Sequence, residues 1–189
     1  MDVHTILIAN LFFGGERQTM DIPEDLITPR LRIRPYRAGD RAFVLSMWGD
    51  RENGRYMSDP ASENIDEKYL KCVDEMETEP EGYYMVACLR QDGTKVGTSC
   101  AFPEGGNYDI GYCISKDHWK EGLGTEMLAA LIDWIKAWGG RSVTGEVADL
   151  NKASTALLNK FGFYPDRKTR YKKWGEETYF DAHYYRLDL

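Results

Sequence analysis

The stretch from Tyr108 to Met127 carries the residue types that can hold a phosphate group. Gly122 and Gly124 have no Cβ, so the chain can turn tightly there and its N–H groups can converge on an anion. A helix that begins just after this turn directs the positive end of its dipole at the same place. Most two-glycine turns only redirect the chain, however. The prediction of a phosphate site therefore depends on the elements around the turn.

The cysteines and histidines show no metal-binding or nucleophilic pattern. The four cysteines lie 12 or more residues apart without a Cys-x-x-Cys pair, and the three histidines are scattered. Neither spacing matches a zinc site or a compact disulfide scaffold. We therefore expect no metal, reduced cysteines and a cytoplasmic location.

The size and charge of the chain limit the classes of function. Its 189 residues suit one domain, and a content of 42% hydrophobic and 29% charged residues is that of a folded protein. The formal net charge of -7 disfavours nucleic acid as a partner and fits a cationic partner better. The apolar run Ile6–Phe13 is too short to span a membrane. We expect residues 1–19 to be an N-terminal extension or poorly ordered arm, and residues 20–189 to form the domain.

The elements next to the glycine turn are predicted to be a strand, a helix and a second strand. The first strand is Tyr108–Ile114, and the second, Ser142–Ala148, has the pattern of a buried strand. Between them, apolar residues recur on one side of a helix at Met127, Leu128, Leu131, Ile135 and Trp138. A further short helix is predicted over Lys152–Lys160. This order is that of a crossover connection within one sheet.

The rest of the chain is predicted to complete that sheet. Alternating residues, an Asp-Gly hairpin signal and two aromatic-rich runs predict strands over Leu31–Tyr36, Tyr83–Arg90, Lys95–Phe102, Thr169–Trp174 and Thr178–Leu187. Helical spacing predicts a helix after Asp40 as N-cap, and a second helix that begins with the capping box Asn64–Glu67. The predicted fold class is α+β, a mixed and mostly antiparallel sheet of about seven strands with helices on both faces.

Four blocks of sequence follow one another in the order Thr28–Tyr36, Asp109–Tyr112, His118–Glu126, and Asn151–Ser154 with Lys160–Phe163. Together they resemble the GNAT superfamily of acyl-CoA-dependent N-acetyltransferases, within its branch that acetylates ribosomal proteins and other N-terminal amines. Four blocks in one order are more specific than any one of them. The resemblance extends from Thr28 to Leu187.

The resemblance implies acetyl-CoA as cosubstrate and a splayed pair of central strands that holds its pantetheine arm. The residues that it implies for this binding are Cys113, Ile114 and Ser115 beside the gap, the turn residues Trp119, Lys120, Glu121, Gly122, Leu123, Gly124 and Thr125, and Asn151. Trp119 stands where the superfamily usually has Arg or Gln, so Lys120 is expected to supply the positive charge. Asn151 could equally cap the next helix, and both roles stay open.

Transfer of an acetyl group from a thioester to an amine needs an acid for the sulfur and a base for the ammonium group. The tyrosine that many superfamily members use as the acid, seven residues after the motif asparagine, is Leu158 here. Ser154, which the resemblance places near the sulfur, is the candidate acid. Asp109 and Glu146 interrupt apolar strands and are the candidate bases, or else hydrogen-bonded carboxylates.

The resemblance implies a primary amine as acceptor, either a protein N-terminus or a small molecule, bound by residues 42–76 and the carboxyl-terminal hairpin. Acidic residues of that segment would attract an ammonium group, although most are expected to be solvated: Asp50, Glu52, Asp59, Glu63, Asp66 and Glu67. A non-catalytic acyl-CoA-binding or sensing module is the alternative, because the tyrosine is absent. We expect a monomer or homodimer that binds neither nucleic acid nor membranes.

Overall fold

The computed structural model describes residues 25–189, which form one eight-stranded sheet with four α-helices packed on it. The predicted N-terminal extension lies outside the described residues. The strands are β1 (Leu26–Ile27), β2 (Leu31–Pro35), β3 (Tyr83–Leu89), β4 (Lys95–Glu104), β5 (Asn107–Ile114), β6 (Ser142–Ala148), β7 (Tyr164–Lys172) and β8 (Tyr179–Asp188). The helices are α1 (Arg41–Trp48), α2 (Glu67–Glu75), α3 (Leu123–Ala137) and α4 (Lys152–Lys160).

The sheet has the strand order β1-β2-β3-β4-β5-β6-β8-β7. Every neighbouring pair is antiparallel except β5 and β6, which are parallel and are joined through α3. The predicted mixed, mostly antiparallel sheet is therefore confirmed. The sequence pattern missed β1, since a strand of two residues is too short to show an alternation.

One core lies between the sheet and α3 with α4. Met127, Leu128 and Leu131 of α3 are fully buried against β2, β5 and β6. The predicted apolar stripe is right up to Ile135 and wrong at Trp138, which is 47% exposed. The helix ends one residue earlier, so Trp138 follows the capping turn away from the core, and Trp134 is buried in its place.

The opposite face of the sheet is covered by α1 and α2, as helices on both faces require. Helix α2 begins two residues later than predicted, because Asp66 rather than Asn64 accepts the capping hydrogen bond from the Tyr69 N–H at 2.7 Å. Asp40 precedes α1 as predicted, but its buried carboxylate binds other groups. It accepts hydrogen bonds from both Arg34 Nη atoms, at 2.7 and 2.8 Å, and forms an ion pair with Lys95 Nζ at 2.7 Å.

Candidate functional site

A fork in the sheet creates the site. Strands β5 and β6 pair at three positions only, Asn107 to Asp109 with Ser142 to Thr144, and then separate. Gly145 lies where the separation begins, and a Cβ there would come within 3.2 Å of the Ile110 carbonyl oxygen. A side chain at this point on β6 would therefore require the Ile110 backbone to shift slightly. The splayed central strands expected from the resemblance are present.

The glycine turn connects the end of β5 to the N-terminus of α3. Lys120 and Gly122 have positive φ angles of 65° and 81°, and Gly122 is the N-cap residue. Of the two, only Lys120 carries a Cβ in this disfavoured region. The first N–H groups of a helix have no intrahelical acceptor, so those of α3 are directed at the space in front of the turn. This is the geometry of an anion site.

A clamp from the connection between β1 and β2 holds this turn in place, and the sequence motifs gave no role to it. Arg30 donates through Nη1 to the Glu121 carbonyl oxygen at 2.8 Å and through Nε to Glu126 at 2.7 Å. Glu126, in the first turn of α3, also accepts the Arg30 N–H at 2.7 Å and the Thr28 hydroxyl at 2.5 Å. Burial opposes ionisation of Glu126, but these donors hold its pKa below the ordinary value. We call this set of contacts, of Thr28, Arg30, Glu121 and Glu126, the Arg30 clamp.

The fork and the turn open into one cavity of about 800 Å³. Most of the residues implied for coenzyme binding line it: Cys113, Ile114, Trp119, Lys120, Gly122, Leu123, Gly124, Thr125 and Asn151. Ser115 and Glu121 are not among the lining residues. The Ser115 N–H donates to the Val96 carbonyl at 2.8 Å, and the Glu121 carbonyl accepts a hydrogen bond from the Arg30 guanidinium. Trp119 donates its indole N–H to the Ile114 carbonyl at 2.8 Å, which ties the turn to β5.

The wall formed by α4 carries the candidate acid. Asn151 accepts the Ser154 N–H at 3.2 Å as the N-cap of α4, and both residues line the cavity. Tyr112 of β5 faces the same space, and its buried hydroxyl makes no well-formed hydrogen bond to the described residues. Burial raises the pKa of Tyr112 to about 12, and the Ser154 hydroxyl opposes that rise. Leu158 also lines the cavity and has no polar atom to offer.

The two candidate bases lie on the opposite face of the sheet from Tyr112. Glu146 lines the cavity, and burial raises its pKa. Asp109 lies at the closed end of the fork, accepts the Thr144 hydroxyl at 2.9 Å and is not among the lining residues. Burial raises the pKa of Asp109 to about 6, with a further contribution from the charge of Glu146. The structure brings Glu146 to the site and leaves Asp109 behind it.

Comparison with known proteins agrees with this geometry. The family model described as an acetyltransferase (GNAT) domain matches residues 30–164. The chain belongs to the GNAT acetyltransferase family. The matched region contains the fork, the turn and α4, so the family signal covers the structural features of the site.

Relatives of this GNAT acetyltransferase share its fold at low sequence identity. An uncharacterized N-acetyltransferase p20 of Bacillus licheniformis is 24% identical over 147 residues, which are 74% of this chain and 82% of that protein. A GNAT-family acetyltransferase from Bacillus anthracis has a TM-score of 0.72 at 18% identity, covering 87% of this chain and 98% of its own. Spermidine N-acetyltransferase from Vibrio cholerae, solved with CoA and spermine, has a TM-score of 0.72 at 14% identity, covering 85% and 96%.

The segment between α1 and α2 also lines the cavity of this GNAT acetyltransferase and contacts the end of β5. Asn53 donates to Cys113 Sγ at 3.0 Å and accepts the Lys116 N–H at 2.6 Å, which docks the segment on the end of β5. Of the acidic residues expected there, Asp50 pairs with Lys116 Nζ at 2.7 Å and Asp66 caps α2. Asp59 differs from both, because it lines the cavity and is enclosed by protein atoms. The expectation of mostly solvated acidic groups therefore does not extend to Asp59.

Two further observations concern the described residues as a whole. Among residues 25–189, no group of three or more His, Cys, Asp or Glu is placed to hold a metal ion. None of the described helices is both long enough and apolar enough to cross a lipid bilayer.

Proposed function

We propose that this GNAT protein is an acetyl-CoA-dependent N-acetyltransferase that acts on a primary amine. The observation that carries the proposal is the fork between β5 and β6, which opens in one cavity onto the N-terminus of α3. A carrier with a phosphate at one end and an extended amide-containing arm requires both features together. The cavity of about 800 Å³ is within the size range of sites for such ligands.

The residues at the turn fit the phosphate end of acetyl-CoA. The positive φ of Gly122 lets the backbone curl without a Cβ, and the helix end adds favourable potential for an anion. Lys120 lies in the turn and lines the cavity, so its charge reaches the same place. Acetyl-CoA, when bound, supplies the acetyl group as an activated thioester. Beyond Asp109 the edge of β5 that faces away from β4 is not paired with β6, so backbone groups near Cys113 and Ile114 can orient the amide-containing arm.

The side chains around the cavity provide for proton transfer. An alkylammonium group with a pKa near 10 must be neutral to react, and at neutral pH this costs about 4 kcal/mol. Glu146 is the proposed base, since it lines the cavity and burial raises its pKa toward a value suited to accepting a proton. The departing thiolate needs one proton, which the hydroxyl of Ser154 or of Tyr112 supplies. A phenol such as Tyr112 is more acidic than the alcohol of a serine. Asp109, the other candidate base, lies behind Glu146, whose charge contributes to raising the pKa of Asp109.

The acceptor is a small amine or a protein N-terminus that enters between the α1–α2 segment and the sheet. The Vibrio cholerae relative solved with CoA and spermine supports a cationic amine. The net charge of -7 favours the approach of such a substrate. We further propose a cytoplasmic location, where acetyl-CoA is available and the four free cysteines stay reduced.

A thiol-release assay tests the proposal and separates it from the alternative of an acyl-CoA-binding module. The full chain is incubated with acetyl-CoA and a panel of amines and amino-terminal peptides, and free CoA is followed with a thiol reagent. We expect release that depends on one class of acceptor and falls strongly in Glu146→Gln. Tight binding of acetyl-CoA without release for any acceptor would identify a binding module instead.

A further inference from the structure

Asp59 is a carboxylate in the wall of the cavity that forms no direct ion pair within the described part of the chain. The residue lies in the segment between α1 and α2 and is half-buried. Tyr69, a neutral phenol, donates to Asp59 Oδ1 at 2.7 Å. Within residues 25–189, the carboxylate forms no ion pair with lysine, arginine or histidine.

The cation that acts on Asp59 does so without a direct ion pair. Lys173 is buried and interacts with Asp59 through charge, but its Nζ donates to the Gly54 carbonyl at 2.8 Å and the Met57 carbonyl at 3.1 Å. Burial therefore dominates at Asp59 and raises its pKa. A buried carboxylate whose charge is only partly offset by a lysine outside ion-pair distance is unfavourable, and a cation brought by a ligand relieves that cost.

Aromatic side chains, which suit a positively charged group, share the cavity lining with Asp59. They are Trp48, Tyr56, Tyr84 and Tyr171. Tyr84 and Tyr171 are close enough to Asp59 for its charge to contribute to raising their pKa values. The faces of such rings attract cations, most strongly where water is excluded. A carboxylate among aromatic rings is the combination that recognises an ammonium group.

The cavity lining therefore contains groups with opposite electrostatic preferences. The turn at Lys120 and Gly122 favours an anion, whereas Asp59 favours a cation. Arg55 also lines the cavity, but it stacks over the Tyr56 ring at 5.2 Å at an exposed position.

From these observations we infer that Asp59 binds the ammonium group of the acceptor, which makes the substrate a cationic alkylamine. This assignment rests on the proposed function and adds to it the residue that receives the positive charge. Glu146 remains the proposed base, on β6 and at the fork.

Binding of two probes that differ in charge tests the inference without any reaction. The probes are n-butylamine, which is an ammonium ion at neutral pH, and n-butanol, its neutral counterpart. Titrations of the CoA-saturated protein are followed by NMR. We expect the wild type to bind the amine at least about tenfold more tightly than the alcohol. Asp59→Asn should reduce this preference to less than about twofold. Glu52→Gln, which removes one exposed charge from the same cavity lining, should preserve it.

Two comparisons distinguish binding from folding and from the proposed function. In Asp59→Asn the new amide oxygen can still accept from Tyr69, so the variant should fold, and Tyr69→Phe should lose stability while it keeps the preference for the amine. No preference in the wild type, or an unchanged preference in Asp59→Asn, overturns the inference. If acetyl transfer is observed in either of those cases, only the assignment of Asp59 fails. If the preference depends on Asp59 but no acceptor gives thiol release, the proposed function fails alone.

Discussion

Replacement of Arg30 by methionine should weaken the binding of CoA without weakening the binding of pantetheine. Arg30 does not line the cavity, and its contacts with Glu121 and Glu126 hold the turn that precedes α3. Methionine keeps the length and apolar stem of the side chain and removes the guanidinium group. The N–H of residue 30 and the Thr28 hydroxyl would still reach Glu126, so the fold should persist.

The size of the effect follows from the two hydrogen bonds that are lost. A hydrogen bond to a charged group contributes about 1.5–3 kcal/mol when buried, and an exposed ion pair contributes about 0.2–1 kcal/mol. The Arg30 side chain is 49% exposed and that of Glu126 14%, which places the pair between these limits. We take about 1.5 kcal/mol for both bonds together, and if the turn must be ordered to bind phosphate, Kd for CoA rises about tenfold.

Calorimetric titration with CoA and with pantetheine measures this difference directly. Pantetheine lacks the pyrophosphate, so its Kd should change less than about twofold. The matched control is Arg32→Met, because Arg32 is similarly exposed at 52% and pairs with Asp25 at 2.5 Å, away from the turn. Equal losses for both ligands, or no loss for CoA, would show that the Arg30 clamp does not order a phosphate site.

Three further outcomes are expected. Asp40→Asn should lower the free energy of unfolding by about 3–5 kcal/mol in urea titrations, because Arg34 loses its buried partner. In the wild type, burial raises the pKa of Asp40, but hydrogen bonds from Arg34 and Lys95 outweigh it and hold the pKa well below its ordinary value. The stabilisation is therefore complete above about pH 4 and is lost as the pH falls further. A difference between Asp40→Asn and the wild type that did not change with pH would contradict this. Leu131→Ala should cost about 2–5 kcal/mol in the same titrations, since the side chain is fully buried, and a cost below about 1 kcal/mol would mean that the core collapses around it. Tyr112→Phe should reduce kcat at least about tenfold and leave the Kd of CoA unchanged, whereas equal changes in both would assign Tyr112 to binding.

The regular elements were the most predictable part of the molecule. Ser142–Ala148 and Lys152–Lys160 have the bounds that their patterns predict, because a buried strand and a capped helix leave strong local signals. Strand β7 begins at Tyr164, five residues before the predicted Thr169. Its exposed residues form no apolar alternation, and its position is set by pairing with β8, which the local pattern does not encode.

The coenzyme side of the site was more predictable than the acceptor side. Glycines at a turn leave a local signature, and Gly122 has the positive φ for which glycine is suited. Asp59, by contrast, looks in the sequence like any acidic residue of a polar loop. Its enclosure depends on Tyr69 and Lys173, which are 10 and 114 residues away along the chain, so only the folded structure distinguishes it.

The fork divides the sheet into two blocks, one of five strands and one of three. Hydrogen bonds join the blocks at only three ladder positions, all at one end, so backbone pairing between the blocks is confined to that end. Helices α3 and α4 pack on one face near this line, and the α1–α2 segment docks across from them. Because α3 packs on strands of both blocks, a rotation that widened the opening would also have to move this core. Entry and departure of a long ligand would then depend on the stiffness of this short pairing between β5 and β6.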